Sequence, residues 1–166
     1  MTMRRGFVGL AIVSAVVLGI CLLGSVPSAA AETLKFKSFN HVTKAEMVPI
    51  ADVEGHIISL TVREGATVFE NGEWAWHRLV AVNDMIKEAG TVNQYNTYTF
   101  LDGSTISTHV MGTAATPTRD IVNGTGRFQG IKGTQTVSGK PLPPQKGELG
   151  PKMFVEGTLD YTLPGK

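Results

Sequence analysis

The sequence is nearly free of cysteine. Its one thiol, Cys21, sits in an apolar run near the start of the chain. Residues 32–166 therefore offer no disulfide, no cysteine nucleophile and no thiolate metal site. Any fold they adopt rests on packing alone. Charge of one sign is missing too, since 15 lysines and arginines face 14 acids, a formal net charge of +1. That balance leaves no basic footprint of the kind a nucleic acid requires. No Gly-x-Ser-x-Gly elbow occurs, so serine hydrolase chemistry is not expected. The four histidines His41, His56, His77 and His109 show none of the paired spacings of a local zinc motif. Beyond residue 31 no stretch holds helical periodicity over three turns, and Val82–Ala89 has room for a single turn.

What is present begins with an export signature. Arg4 and Arg5 form a positive start, an apolar run follows from Phe7 to Leu23, and Ala29 and Ala31 make a small-x-small site before Glu32. This order predicts a removable secretory signal over residues 1–31. The apolar run falls short of the ~18–20 residues a membrane span needs, so no stable span is expected after processing. The Arg-Arg pair loosely resembles a twin-arginine signal, although the strongly apolar run suits general secretion better. Ile20 is too bulky for the residue before a lipidated cysteine. Processing would leave one domain, residues 32–166, in the periplasm or the medium. It removes two arginines and no acid, leaving 135 residues with 13 basic and 14 acidic side chains.

The remaining chain alternates apolar and polar residues at short spacing, the strand signature. Leu34–Val42, His56–Val68, Trp74–Met85, Thr91–Phe100, Thr105–Met111, Gly133–Ser138 and Lys152–Leu163 all read this way. Asn71-Gly72 and Asp102-Gly103 fall between such runs and predict antiparallel hairpins. Gly124, Gly126, Gly130 and Gly133 surround Phe128, where small residues let the chain turn sharply and the ring insert as a plug. The series is not followed by a helix, so it is no phosphate loop. Residues 139–151, GKPLPPQKGELGP, predict a long irregular loop before the last strand. Seven or so strands with hairpin turns make an all-β sandwich or barrel, and a barrel removes exposed edges.

The run from Ile121 to Gly133, IVNGTGRFQGIKG, resembles the glycine-rich segment of the allene oxide cyclase and dirigent barrel superfamily, particularly its uncharacterised bacterial members. Asp52–His56, Tyr98–Ile106 and Glu156–Leu163 agree with it in the same order. The resemblance implies an antiparallel eight-stranded barrel, calycin-like in architecture, with an apolar cavity and a dimeric or trimeric assembly. It also implies no metal and no organic cofactor, and relatives that steer cyclisation or coupling of reactive lipophilic intermediates. The cyclase relatives carry a carboxylate and a cysteine near the cavity, and the cysteine is missing here.

On the residues themselves, His56 shares strand parity with Ile58, Leu60 and Val62. If that apolar face points inward, His56 lies at a barrel rim beside Glu54, as a candidate acid/base pair near neutral pH. The bland alternative is a structural histidine bound to a loop carbonyl. Ile58, Leu60 and Tyr98 are candidate wall residues for a ligand. Trp74 and Trp76 either line the cavity or face outward as an oligomer contact, and the mixed pattern of their strand leaves both open. Three functions follow: a barrel holding a small lipophilic molecule, a cofactor-free isomerase or cyclase using Glu54 and His56, or a structural barrel filled by its own side chains.

Overall fold

The computed structural model describes residues 30–87 and 89–165. The signal predicted over residues 1–31 lies almost wholly outside them. The described residues form a closed antiparallel barrel of eight strands in sequential order. The strands are β1 (Ala31–Pro49), β2 (His56–Phe69), β3 (Trp74–Ile86), β4 (Ala89–Phe100), β5 (Thr105–Thr113), β6 (Pro117–Thr125), β7 (Lys132–Leu142) and β8 (Lys152–Thr162). β8 closes the barrel against β1, from Ala31 opposite Thr162 to Asn40 opposite Met153.

Both predicted hairpins form. The Phe69 carbonyl accepts from Gly72 N–H at 3.0 Å, and the Phe100 carbonyl accepts from Gly103 N–H at 3.0 Å. Each glycine takes a left-handed φ, +85° and +80°, which a side chain would oppose. The asparagine and aspartate before them do not, so each loop is a three-residue type with glycine at its left-handed position.

Two expectations need correction, and one strand was not read from the sequence. The described residues of Val82–Ala89 contain no helical turn, because β3 runs to Ile86 and β4 starts at Ala89. Pro117–Thr125 is a strand, although its TRD start carries little apolar signal. β7 continues through Gly139 to Leu142, pairing with β8 as far as Lys152, so the irregular loop is only 143–151. Pro141 is tolerated because β7 has a free edge: β6 and β7 pair only at Asp120–Thr134 and Ile121–Gly133. The barrel is therefore splayed along this one seam.

The inside is layered. At the end carrying the two glycine hairpins, Phe36, Phe69, Tyr98, Phe100 and Phe128 pack into an aromatic floor with Leu159 and Ile106. Phe69 stacks on Phe100 at 5.0 Å, and Phe128 lies 4.9 Å from Phe100. Phe128 enters from a 3-10 turn over Gly126–Phe128, as the glycine series predicts. Arg127 covers this floor from outside, 4.8 Å above both the Phe100 and Phe128 rings, with Glu73 at 2.6 Å.

Candidate functional site

Above the floor the interior turns polar. Ser38, Asn40, Thr67, His77, Asn96, Thr108 and Gln135 are all buried. Buried polar groups persist when they bond one another, and all of these except Asn40 do so around the barrel wall. Thr67 donates to Ser38 at 3.0 Å, and the Ser38 hydroxyl reaches His77 Nδ1 at 3.0 Å. His77 Nε2 faces Asn96 Oδ1 at 3.3 Å. Asn96 donates to Thr108 at 3.2 Å, Thr108 to Gln135 Oε1 at 3.2 Å, and Gln135 to the Tyr98 hydroxyl at 2.7 Å.

The direction of this chain follows from the imidazole. Burial lowers the pKa of His77, which favours a neutral ring with one donor and one acceptor. Nε2 faces an amide oxygen and so carries the proton, and Nδ1 is left to accept from Ser38, whose hydroxyl has the Ala66 carbonyl at 3.3 Å as its other acceptor. Every later donor then points the same way, toward Tyr98. The Tyr98 oxygen accepts from Gln135, and its own proton has no acceptor among the described residues. Burial raises the Tyr98 pKa well above its ordinary value, so the hydroxyl keeps that proton.

Over this polar layer lies a cavity of about 370 Å³. Its size falls in the range of small-molecule sites. Leu79, Val137, Met153 and Val155 supply apolar wall, and Tyr98, His77 and Asn96 supply the base. Arg63 from β2 and Arg119 from β6 also line it. Strands on both sides of the splayed seam take part, through Arg119 on β6 and Gln135, Val137 and Gly139 on β7. The loop after β7 meets the mouth where Arg63 donates to the Pro151 carbonyl at 2.8 Å. The lining thus departs from the apolar cavity that the resemblance implies.

Of the residues assigned a catalytic or ligand-binding role from sequence, only Tyr98 is in this cavity, joined there by His77, one of the four candidate histidines. The face of β2 shared by His56, Ile58 and Leu60 is the outer one, because Arg63 and Thr67 of the opposite parity point inward. Ile58 is exposed and Leu60 half-buried, neither lining the cavity. Trp74 and Trp76 also stand outside, packed edge to face at 5.7 Å. Glu54 is exposed in the turn before β2. It is not the partner of His56, whose Nδ1–H and Nε2–H donate instead to Asp52 at 2.6 Å and Asp84 at 2.8 Å. His41, His56 and His109 lie outside the cavity, and His109 stacks on Tyr95 at 4.3 Å. Among the described residues no three His, Cys, Asp or Glu side chains gather as a metal site. Sequence reading missed Arg63, Arg119 and Gln135. Their one available signal is a polar residue at the inward parity of an otherwise ordinary strand.

His56 holds the β1–β2 turn to the end of β3, and the contact is pH-dependent. Hydrogen bonds to Asp52 and then Asp84 raise its pKa above the usual 6.5. The folded chain keeps this proton to higher pH than the unfolded chain does. The contribution is therefore complete below about pH 6.5 and is lost as pH rises through the folded value. His77 acts oppositely: burial lowers its pKa, so its contribution is complete above about pH 6.5 and fades as pH falls through the folded value. Melting temperature followed from pH 5 to 9 is expected to decline on both sides. His56→Gln is expected to flatten the alkaline side alone. An unchanged alkaline decline in that variant would show that the Asp52–His56–Asp84 contact has no such role.

No family model and no curated protein matches the chain. It is similar to two solved structures of dirigent proteins. The pterocarpan synthase dirigent protein GePTS1 is 12% identical, with a TM-score of 0.48 over 98% of this chain and 100% of that one. The pterocarpan synthase dirigent protein PsPTS1 is 16% identical, with a TM-score of 0.44 over 82% of this chain and 99% of that one.

Proposed function

We propose that the protein is an exported barrel that holds one small organic molecule in its interior cavity. The observation that carries this reading is the uneven filling of the barrel. The end carrying the glycine hairpins is packed by aromatic rings, whereas about 370 Å³ above the polar layer is hollow and has both apolar wall and aimed polar groups. A barrel serving only as a structural post has no use for that space. Export rests on the signature of residues 1–31. Assembly as a dimer or trimer rests on the exposed pair Trp74 and Trp76, with Val68 and Phe39 on the same outer face.

A cofactor-free isomerase or cyclase is the second reading, and the free Tyr98 proton favours it. A hydroxyl aimed at a bound oxygen can share its proton as charge develops there. On this reading the acid is Tyr98 rather than Glu54 or His56, which lie outside the cavity.

Native mass spectrometry of protein purified gently from its own host tests the reading and counts subunits together. The expected result is an added small mass per barrel, extractable into organic solvent. That mass is expected to disappear in Leu79→Trp and in Val137→Phe, two independent ways of filling the cavity, with the oligomer intact. A ligand mass that survives both variants would place the ligand elsewhere and sink the proposal.

A further inference from the structure

The charge inside the cavity is one-sided. Five cations elsewhere on the barrel meet acids: Lys37 with Glu156, Lys44 with Glu46, Arg78 with Glu64, Arg127 with Glu73, and Lys152 with Glu148. Inside, Arg63 and Arg119 have no such partner. Arg63 is bonded to the neutral carbonyl of Pro151, and Arg119 makes no hydrogen bond or ion pair with any described residue. The cavity lining contains no aspartate or glutamate. Burial pulls both guanidinium pKa values down, yet an arginine stays charged. Two half-buried positive charges without a counter-charge are costly unless something supplies it.

A second observation points into the same space. Asn40 is 2% exposed, lines the cavity, and its Oδ1 has no hydrogen-bond partner. A buried acceptor left unmade costs the full desolvation of that group. A ligand carrying an N–H or O–H would satisfy it.

We propose that the cavity takes an amphipathic organic anion, with its acidic head at Arg119 and Arg63, a donor group for Asn40, and an apolar body against Leu79, Val155 and Met153. This rests on the reading of the barrel as a small-molecule binder. The planar guanidinium fork suits sulfonate and carboxylate oxygens equally, so the anion class is set by charge and shape rather than by one head group. Arg119 is the specificity-determining side chain, since Arg63 is already engaged by Pro151.

Two dyes that share rings and an N–H but differ in charge provide the test. 1-Anilinonaphthalene-8-sulfonate carries the anion, and N-phenyl-1-naphthylamine lacks it. Both are titrated by fluorescence into the processed protein, with Leu79→Trp identifying the signal that comes from the cavity. Arg119→Met is expected to weaken the sulfonate dye about tenfold or more while the neutral dye changes by less than about twofold. Arg119→Lys is expected to recover part of the loss. Equal affinity for both dyes in the wild type, unchanged in Arg119→Met and Arg119→Gln, overturns the anion preference and leaves the binding reading standing. Failure of both dyes to give a signal sensitive to Leu79→Trp overturns the binding reading, and the anion preference with it.

Discussion

Phe69→Ala is expected to cost about 3–5 kcal/mol of stability, the range for a fully buried aromatic cut to a methyl group. Phe69 is 2% exposed and is the hub of the aromatic floor. Its ring lies 6.0 Å from Phe36, 6.1 Å from Tyr98 and 5.0 Å from Phe100. A barrel wall is held by its ladders, so the strands cannot collapse inward to fill the void. The transfer loss and the cavity loss therefore add. Urea melts give the free energy, and the thermal midpoint is expected to fall by roughly 10–20 °C. Phe39→Ala is the control. Phe39 carries the same ring on the next strand but is 45% exposed on the outer face. Its truncation is expected to stay within about 1 kcal/mol when both variants are melted at a protein concentration too low for barrels to associate. A loss at Phe69 no larger than that at Phe39 would mean that the floor is not what holds the barrel.

That pair of phenylalanines also shows how far the sequence can be read. The alternation of LKFKSFNHV locates the middle of β1, and the two hairpin dipeptides locate the β2–β3 and β4–β5 connections. Inward parity is another matter. Along β1 the inward side chains are Leu34, Phe36, Ser38 and Asn40, while Phe39 points out. An apolar-in rule follows the strand through the floor and then fails where the polar layer begins. β2 and β3 fail for the same reason. Arg63 and Thr67 point in while Ile58 and Val68 point out, and His77 points in while both tryptophans point out. The interior is polar where the hydrogen-bonded chain from Thr67 to Tyr98 and the cavity above it replace apolar packing, and the outer face carries large exposed apolar side chains instead. Fold class survives such inversion, since period 2 is the same on either face. Site residues do not, and the His56 face is the casualty. Tyr98 was legible because it stands at the boundary, with Phe36 and Phe69 below it and the cavity above.

Gly65→Ala is expected to damage the protein at least as much as Phe69→Ala, although it adds only a methyl group. Gly65 lies on β2 opposite Asn40 of β1 and His77 of β3. A Cβ there would collide with the Phe39 carbonyl oxygen and come within 2.7 Å of Asn40 Cα. Both are backbone atoms, so no rotamer change can relieve the overlap, and β1 must move away from β2. β1 has little freedom to do so, because its other edge is held by β8 through Asn40–Met153. The cost is expected to exceed about 3 kcal/mol, beyond the usual range for a point substitution. Gly72→Ala separates this crowding from backbone strain. Gly72 has φ +85° but open space around it, so only strain is felt, at about 1 kcal/mol. The two residues flanking Gly65 are the unpartnered Asn40 and the relay histidine His77, so displacement of β1 reaches the cavity as well. In protein that still folds, Gly65→Ala is expected to weaken both naphthalene dyes together, unlike Arg119→Met, which discriminates between them. If Gly65→Ala instead matched Gly72→Ala in stability and bound both dyes normally, the close approach of β1 to β2 would be elastic, and the barrel wall beside Asn40 would be free to open.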